Sequence, residues 1–261
     1  YGTGWCRNIV YPLLGFEQLI FKDEFVSPKK IRNYISDESA FQKIIDLYEE
    51  KDADEKIFTF EVTMQNHGGY SKDTDDFSES VYLTDETSQG TQVRAAEKYL
   101  TLIQKSDEAF KYLVEYFEKQ QEPTIILMFG DHQPSDYITN VILRELGLNR
   151  DESDDVYYNN YIVPYIMWSN YDMNTTPVED ISLNYLGGML MEKAGIGLTG
   201  YQQYLKDMQK EFPVITANMV MDANKNRMAE TDAQSEWIEN YQKLVYNHLC
   251  DKTGKLTDFF E

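Results

Sequence analysis

Two short polar runs constrain this chain most. Met64-Gln65-Asn66-His67-Gly68-Gly69-Tyr70 and Gly130-Asp131-His132-Gln133-Pro134 each follow a strongly apolar stretch. In the first stretch, 57–63, Phe58, Phe60 and Val62 alternate with Thr59, Glu61 and Thr63, the period of a half-buried strand. The second, 124–129, is apolar on both faces, as a central parallel strand is. Between them, residues 92–120 set Tyr99, Ile103, Ser106, Phe110, Leu113 and Phe117 at steps of three and four, one face of a long helix. A strand–helix–strand unit of this kind normally has parallel strands, so both polar runs are expected at the same sheet edge. Open α/β sheets build their sites at that edge. Two of the three histidines and an aspartate are therefore expected in one crevice.

Length and charge narrow the classes. The 261 residues suit one large α/β domain, or one domain with a small appendage. A hydrophobic fraction of 42%, with 20 Tyr and 13 Phe, supplies a sizeable core. The net charge of −21 repels nucleic acid and anionic membrane surfaces, which disfavours a nucleic-acid partner. Two cysteines, Cys6 and Cys250, are too few for a disulfide framework. No signal peptide and no run of eighteen apolar residues is present.

Elsewhere the pattern predicts a helix over about 36–50, opened by Ser36-Asp37-Glu38 and burying Phe41, Ile44, Ile45 and Tyr48. A polar loop spans 68–90, a short helix 138–147 and an acidic loop 150–155. Residues 161–168 read as an edge or irregular strand because of Pro164. Helices are expected over 181–194, with Gly195 as the residue after the cap, over 200–211, and over 233–250. In the last, Trp237, Tyr241, Leu244, Val245 and Leu249 face inward, and His248 is a structural residue. The division expected is 1–215 as the main, incomplete domain and 216–261 as a helical segment packed on it.

The polar runs carry the chemistry. A carboxylate and an imidazole side by side, as in Asp131-His132, both bind divalent transition metals when an irregular turn lets them converge. Gly130 permits that turn and Pro134 stiffens its exit. The alternative is a loop Asp capping the next helix beside a surface His. His67, flanked by Gly68-Gly69, suits either a phosphoryl contact or proton donation to a leaving group, or else an ordinary exposed turn. In Gly4-Trp5-Cys6-Arg7-Asn8, Arg7 offers a planar fork for phosphate and Trp5 an apolar wall. The same segment also reads as a core-anchoring Trp beside a surface Arg.

Together these segments, with Tyr11-Pro12, Tyr165-Ile-Met-Trp-Ser-Asn-Tyr-Asp172 and Asp180-Ile-Ser-Leu-Asn-Tyr185, resemble the lipoteichoic acid synthase family. These are phosphoglycerol transferases of the sulfatase/alkaline-phosphatase superfamily. The resemblance implies an α/β three-layer sandwich with a mainly parallel sheet. It implies a threonine nucleophile beside manganese or magnesium that attacks phosphatidylglycerol, releases diacylglycerol and passes glycerophosphate to a polyglycerophosphate acceptor. It further implies Asp131 and His132 as metal ligands, Arg7 and His67 as phosphate contacts, Trp5 as part of the glycerol pocket, and Ser135 as a further ligand contact.

The nucleophilic threonine and first acidic ligand of that family belong to a segment preceding the Trp/Arg motif. No threonine here stands in a matching motif, so the chain as given is expected to lack the nucleophile and to be inactive alone. The family's location is the outer face of the membrane of a Gram-positive-type bacterium, through an anchor outside this sequence. The oligomeric state stays open. Other readings are a phosphoethanolamine or glucan-modifying phosphoglycerol transferase, a sulfatase, or a non-catalytic module that holds glycerophosphate or teichoic acid.

Overall fold

The computed structural model describes residues 4–84, 90–148, 158–159, 161–174, 179–216, 219–229, 233 and 235–261. The acidic loop at 150–155, and residues 85–89 of the long polar loop, lie outside them. The chain forms two compact units, one of Tyr1–Glu122 with Phe129–Tyr165, the other of Pro123–Met128 with Ile166–Glu261.

In the first unit a short helix α1 (Arg7–Leu13) precedes a hairpin of β1 (Lys30–Ile31) and β2 (Tyr34–Ile35). The strands pair antiparallel, Lys30 with Ile35 and Ile31 with Tyr34. The two turn residues, Arg32 (φ 53) and Asn33 (φ 67), are both left-handed, as a two-residue turn matched to strand twist requires. The chain then enters α2 (Asp37–Glu50), capped by Ser36, whose hydroxyl accepts from the Ser39 N–H at 3.2 Å. Asp37 and Glu38 complement the positive end of the helix.

The long helix α3 (Thr91–Phe117) packs against α2 and against α4 (Asp136–Glu145). Val93, Ala96, Leu102, Ala109, Leu113 and Phe117 form its buried stripe. The expected face is right at Ser106, Leu113 and Phe117, whereas Ile103 is exposed. The core joins Ile31 and Tyr70 to the α3 stripe and to Ile138 and Val141 of α4.

The strand expected at 57–63 does not form. Phe58 is 69% exposed and Phe60 44%. Alternation marks which side chains share a face, but a strand also needs a ladder partner, and none pairs with this segment among the described residues. Its rings instead meet aromatics in and just after α1: Phe16 lies 5.9 Å from Phe58, and Tyr11 6.1 Å from Phe60.

The stretch 124–129 yields β3 (Ile125–Phe129), which neighbours β4 (Tyr165–Ser169). The Gly130 N–H donates to the Pro164 carbonyl at 3.1 Å, and the Asn170 N–H to the Thr124 carbonyl at 3.3 Å. The end of β3 thus lies beside the start of β4 and its start beside the end of β4, the antiparallel pattern rather than the parallel one expected for β3.

In the second unit α5 (Leu186–Lys193) ends at a left-handed Gly195 (φ 70), the expected terminating glycine. Helix α6 (Gly200–Glu211) packs near a meander of β5 (Val214–Ile215), β6 (Val220–Met221) and β7 (Arg227–Met228), with Met208, Val220 and Ile238 at its core. Helix α7 (Glu236–Cys250) follows, then the short α8 (Thr257–Phe260). Residues after 215 thus carry two strands as well as helices. Leu249, expected inward, is 73% exposed. No described helix is long and apolar enough to cross a membrane.

Candidate active site

The His67 loop is held from below by a buried polar network. Gln65, 1% exposed, accepts from the Asp37 N–H at 3.1 Å and donates to the Leu102 carbonyl at 3.3 Å and to the Ser106 hydroxyl at 3.2 Å. Asn66 donates to the same hydroxyl at 2.8 Å. Ser106 in turn donates to Asp37 Oδ2 at 2.5 Å. Burial raises the Asp37 carboxyl above its ordinary range, opposed by the bond from Ser106. The Tyr70 hydroxyl donates to the Asn66 carbonyl. Gln65, Asn66 and Tyr70 are therefore the frame of the motif, and His67 alone projects to solvent.

Gly69 sits at φ +101, a conformation that L side chains rarely adopt, and the Arg32 guanidinium lies against it. Arg32 is 7% exposed, points two N–H groups at the His67 carbonyl (3.4 and 3.5 Å) and lies 4.8 Å from the Tyr70 ring centroid. The Tyr34 hydroxyl stands 3.4 Å from His67 Nδ1. Nothing in the sequence marked Arg32 or Tyr34 as functional. Their placement depends on the hairpin, which pairs Ile31 with Tyr34 across a left-handed Arg32-Asn33 turn.

The second loop is built by close backbone approach. A Cβ on Gly130 would meet Val163 Cβ at 3.2 Å, so the glycine is required for packing rather than for a positive φ. Gln133 fastens the loop by donating to the carbonyls of Asn159 (2.7 Å) and Ile162 (2.8 Å). Asp131 and His132 stand out from this anchored backbone, with side chains 86% and 78% exposed. Asp131 Oδ1 accepts from the His132 N–H at 2.8 Å, and Asp131 Oδ2 lies 3.6 Å from His132 Nε2. His132 Nδ1 is 2.7 Å from the Gln133 carbonyl.

That last contact tests the metal assignment. A carbonyl only accepts, so Nδ1 carries the proton and Nε2 keeps its lone pair. The lone pair lies on the side of Asp131 Oδ2. An imidazole oriented by a backbone carbonyl, beside a carboxylate, is a donor set for Zn²⁺, Mn²⁺ or Mg²⁺. Two donors do not complete a shell, and no group of three or more His, Cys, Asp or Glu positioned for a metal occurs among the described residues. The residues fit as half of a site.

The two loops are neighbours electrostatically. Burial pushes the Tyr70 phenol up to about 12, and among the smaller influences on it are the charges of both Arg32 and Asp131. The charge of Asp131 thus reaches the phenol that closes the His67 loop. Ser135 occupies the N-cap position of α4 and is exposed, but its side chain makes no capping bond. Trp5 is 89% exposed with a left-handed backbone (φ 56), and Arg7 opens α1. No hydrogen bond or ion pair joins either to His67, Asp131 or His132 among the described residues. His248 stacks on Phe260 at 4.3 Å, away from these loops in sequence and in the other unit.

Residues 1–196 match the Sulfatase family. The chain belongs to the Sulfatase family. All of it superposes on 62% of the Streptococcus pyogenes phosphoglycerol transferase GacH, solved in complex with sn-glycerol-1-phosphate, with a TM-score of 0.65 and 20% identity. The fold is thus the α/β architecture of the sulfatase/alkaline-phosphatase type. A Rhizobium meliloti protein named for cyclic beta-1,2-glucan modification is 22% identical over all of this chain, which spans 41% of that protein. The capsular polysaccharide biosynthesis protein RkpI of Rhizobium meliloti is 29% identical over 51% of this chain and 22% of its own length. This Sulfatase-family chain therefore spans less than half the length of these curated relatives.

Proposed function

We propose that the protein carrying this chain is a metal-dependent phosphoglycerol transferase that moves glycerophosphate from phosphatidylglycerol to a polyglycerophosphate acceptor of the lipoteichoic acid type. The reaction would take place at the outer face of a cell membrane. The observation that carries this reading is the His132 ring, fixed by the Gln133 carbonyl so that Nε2 is offered beside Asp131. The fold likeness to GacH supports it.

In this reading Asp131 and His132 hold Mn²⁺ or Mg²⁺, which neutralises phosphoryl charge and lowers the nucleophile's pKa. His67, on its buttressed loop, donates a hydrogen bond to a phosphoryl oxygen or a proton to the departing alkoxide. Arg7 supplies a fork to the phosphate, Trp5 walls the glycerol and Ser135 offers a hydroxyl. The nucleophile is a threonine supplied from outside these 261 residues, and the chain alone is expected not to turn over.

Full-length protein incubated with phosphatidylglycerol vesicles and Mn²⁺ tests the proposal by mass spectrometry of lipids and acceptors. Diacylglycerol release that is lost on His132→Ala supports it. Release of phosphoethanolamine or sulfate, or no transfer from any lipid, contradicts it. A second reading keeps the donor and changes the acceptor to a surface polysaccharide. The names of the two Rhizobium meliloti relatives favour it, and the identity of the acceptor product separates the two.

A further inference from the structure

The hairpin that closes over the His67 loop is unusual in its turn. Position 32 is left-handed (φ 53), where Asn, Asp or Gly is the ordinary choice, yet it holds an arginine whose side chain is buried. No carboxylate lies within ion-pair distance of that guanidinium among the described residues. It rests instead between the rings of Tyr70 (4.8 Å) and Tyr34 (6.0 Å) and aims two N–H groups at the His67 carbonyl. One residue past the turn's second position, Tyr34 brings its hydroxyl to Nδ1 of the same histidine, with the rings 5.9 Å apart. The hairpin therefore grips His67 at two points, its backbone through Arg32 and its ring through Tyr34.

The ring contact decides a tautomer. A phenol is a better donor than acceptor, and the acceptor it meets on a neutral imidazole is the bare nitrogen. If Tyr34 donates to Nδ1, the proton of His67 lies on Nε2. That is the opposite of His132, whose Nδ1 proton is held by a carbonyl. Two histidines of one site are thus prepared for opposite work, His132 as a lone-pair donor and His67 as a hydrogen-bond donor.

We propose that Tyr34 is a positioning residue that holds His67 as its Nε2–H tautomer, with Arg32 fixing the loop backbone behind it. The proposal deepens the transferase reading and rests on it for the role of the Nε2 proton, but the tautomer itself is measurable without turnover.

The test uses the 261-residue chain with ¹⁵N-labelled histidine. Its three histidines give resolvable long-range ¹H–¹⁵N patterns at a pH where the rings are neutral. The expected result is an Nε2–H pattern for His67 and an Nδ1–H pattern for His132, with Tyr34→Phe converting His67 to a mixture and leaving His132 unchanged. An Nδ1–H pattern for His67 in the unaltered chain, or no change in Tyr34→Phe, overturns the proposal. Amide spectra of the variant confirm that it is folded, and Tyr34→His, which keeps a ring donor, is expected to restore part of the pattern. In the full-length enzyme Tyr34→Phe should lower kcat roughly tenfold with little change in KM, and should have no further effect in a His67→Gln background. If the tautomer shift occurs but no lipid supports transfer, the positioning role stands and the transferase reading falls.

Discussion

The two loops that carry the candidate chemistry are built in opposite ways. The His67 loop rests on a buried polar frame, in which Gln65, Asn66, Ser106 and Asp37 bond to one another and Arg32 and Tyr34 close from above. The Asp131–His132 loop is fastened by the close approach of Gly130 to Val163 and by the Gln133 side chain on two carbonyls, while its working side chains stand in solvent. A pre-aimed donor needs its second contacts before the ligand arrives. Side chains that close on a cation take their remaining contacts from the ligand itself. The difference predicts that substitutions in the two loops will fail in different ways.

The largest expected effect is on activity in the exposed loop. Asp131→Ala or His132→Ala in the full-length protein should cut transfer by at least about 10³-fold, because metal stabilisation of phosphoryl charge is worth several kcal/mol. Stability should move by less than about 0.5 kcal/mol, as for other surface substitutions. Steady-state transfer and urea unfolding check both. A large stability loss would erase the contrast between the loops.

The buttressed loop should show the converse. Gln65→Ala removes the four hydrogen bonds of a side chain that is 1% exposed and leaves the Asp37 N–H without its side-chain acceptor, while Ser106 keeps Asn66 and Asp37. The expected cost is about 2–4 kcal/mol, read as a lowered urea midpoint. A change under about 1 kcal/mol would mean that water replaces the side chain and that the frame is not rigid.

Smaller is the effect of Gly130→Ala. Val163 must shift a few tenths of an ångström, and a loss of about 1 kcal/mol is expected, with metal affinity lowered as the loop backbone moves.

Smallest is a pH effect in the frame. The folded Asp37 carboxyl titrates above its unfolded value because of burial. The native state therefore binds the proton more tightly, and its contribution to stability is fully present below the unfolded pKa and declines as pH rises through the raised one. Asp37→Asn should flatten the dependence of stability on pH above about 4 by removing that decline, with the Ser106 bond still accepted by the amide oxygen. An unchanged slope would assign the dependence elsewhere.

Much of the helical frame was legible in the sequence, because periodicity and capping are local. Ser36 caps where expected, Gly195 terminates where expected, and the α3 stripe holds Ser106, Leu113 and Phe117. The strands were less legible. The alternation of 57–63 says nothing about a partner, and the apolar run of β3 does not set the direction of its neighbour. The ends of α7 also misled, since Leu249 has the helical spacing of a buried residue but lies past the part of the helix that packs. At the site, the chemically distinctive residues His67, Asp131 and His132 announced themselves. Arg32 and Tyr34 did not, because a short hairpin far off in sequence acquires meaning only when it folds over the loop. The reason that the motif contains Gln65 and Asn66, as anchors and not ligands, was equally invisible before their partners on α2 and α3 were placed.

The central claim is that Asp131 and His132 offer a cation site beside the His67 loop. Titration of the 261-residue chain with Mn²⁺, followed by paramagnetic broadening of the three histidine ring signals and of Tyr70, tests it most directly. The account predicts saturable broadening that reaches His132 first and then His67 and Tyr70, and disappears in His132→Ala. Broadening that reaches His67 before His132, or broadening unaffected by His132→Ala, would contradict it.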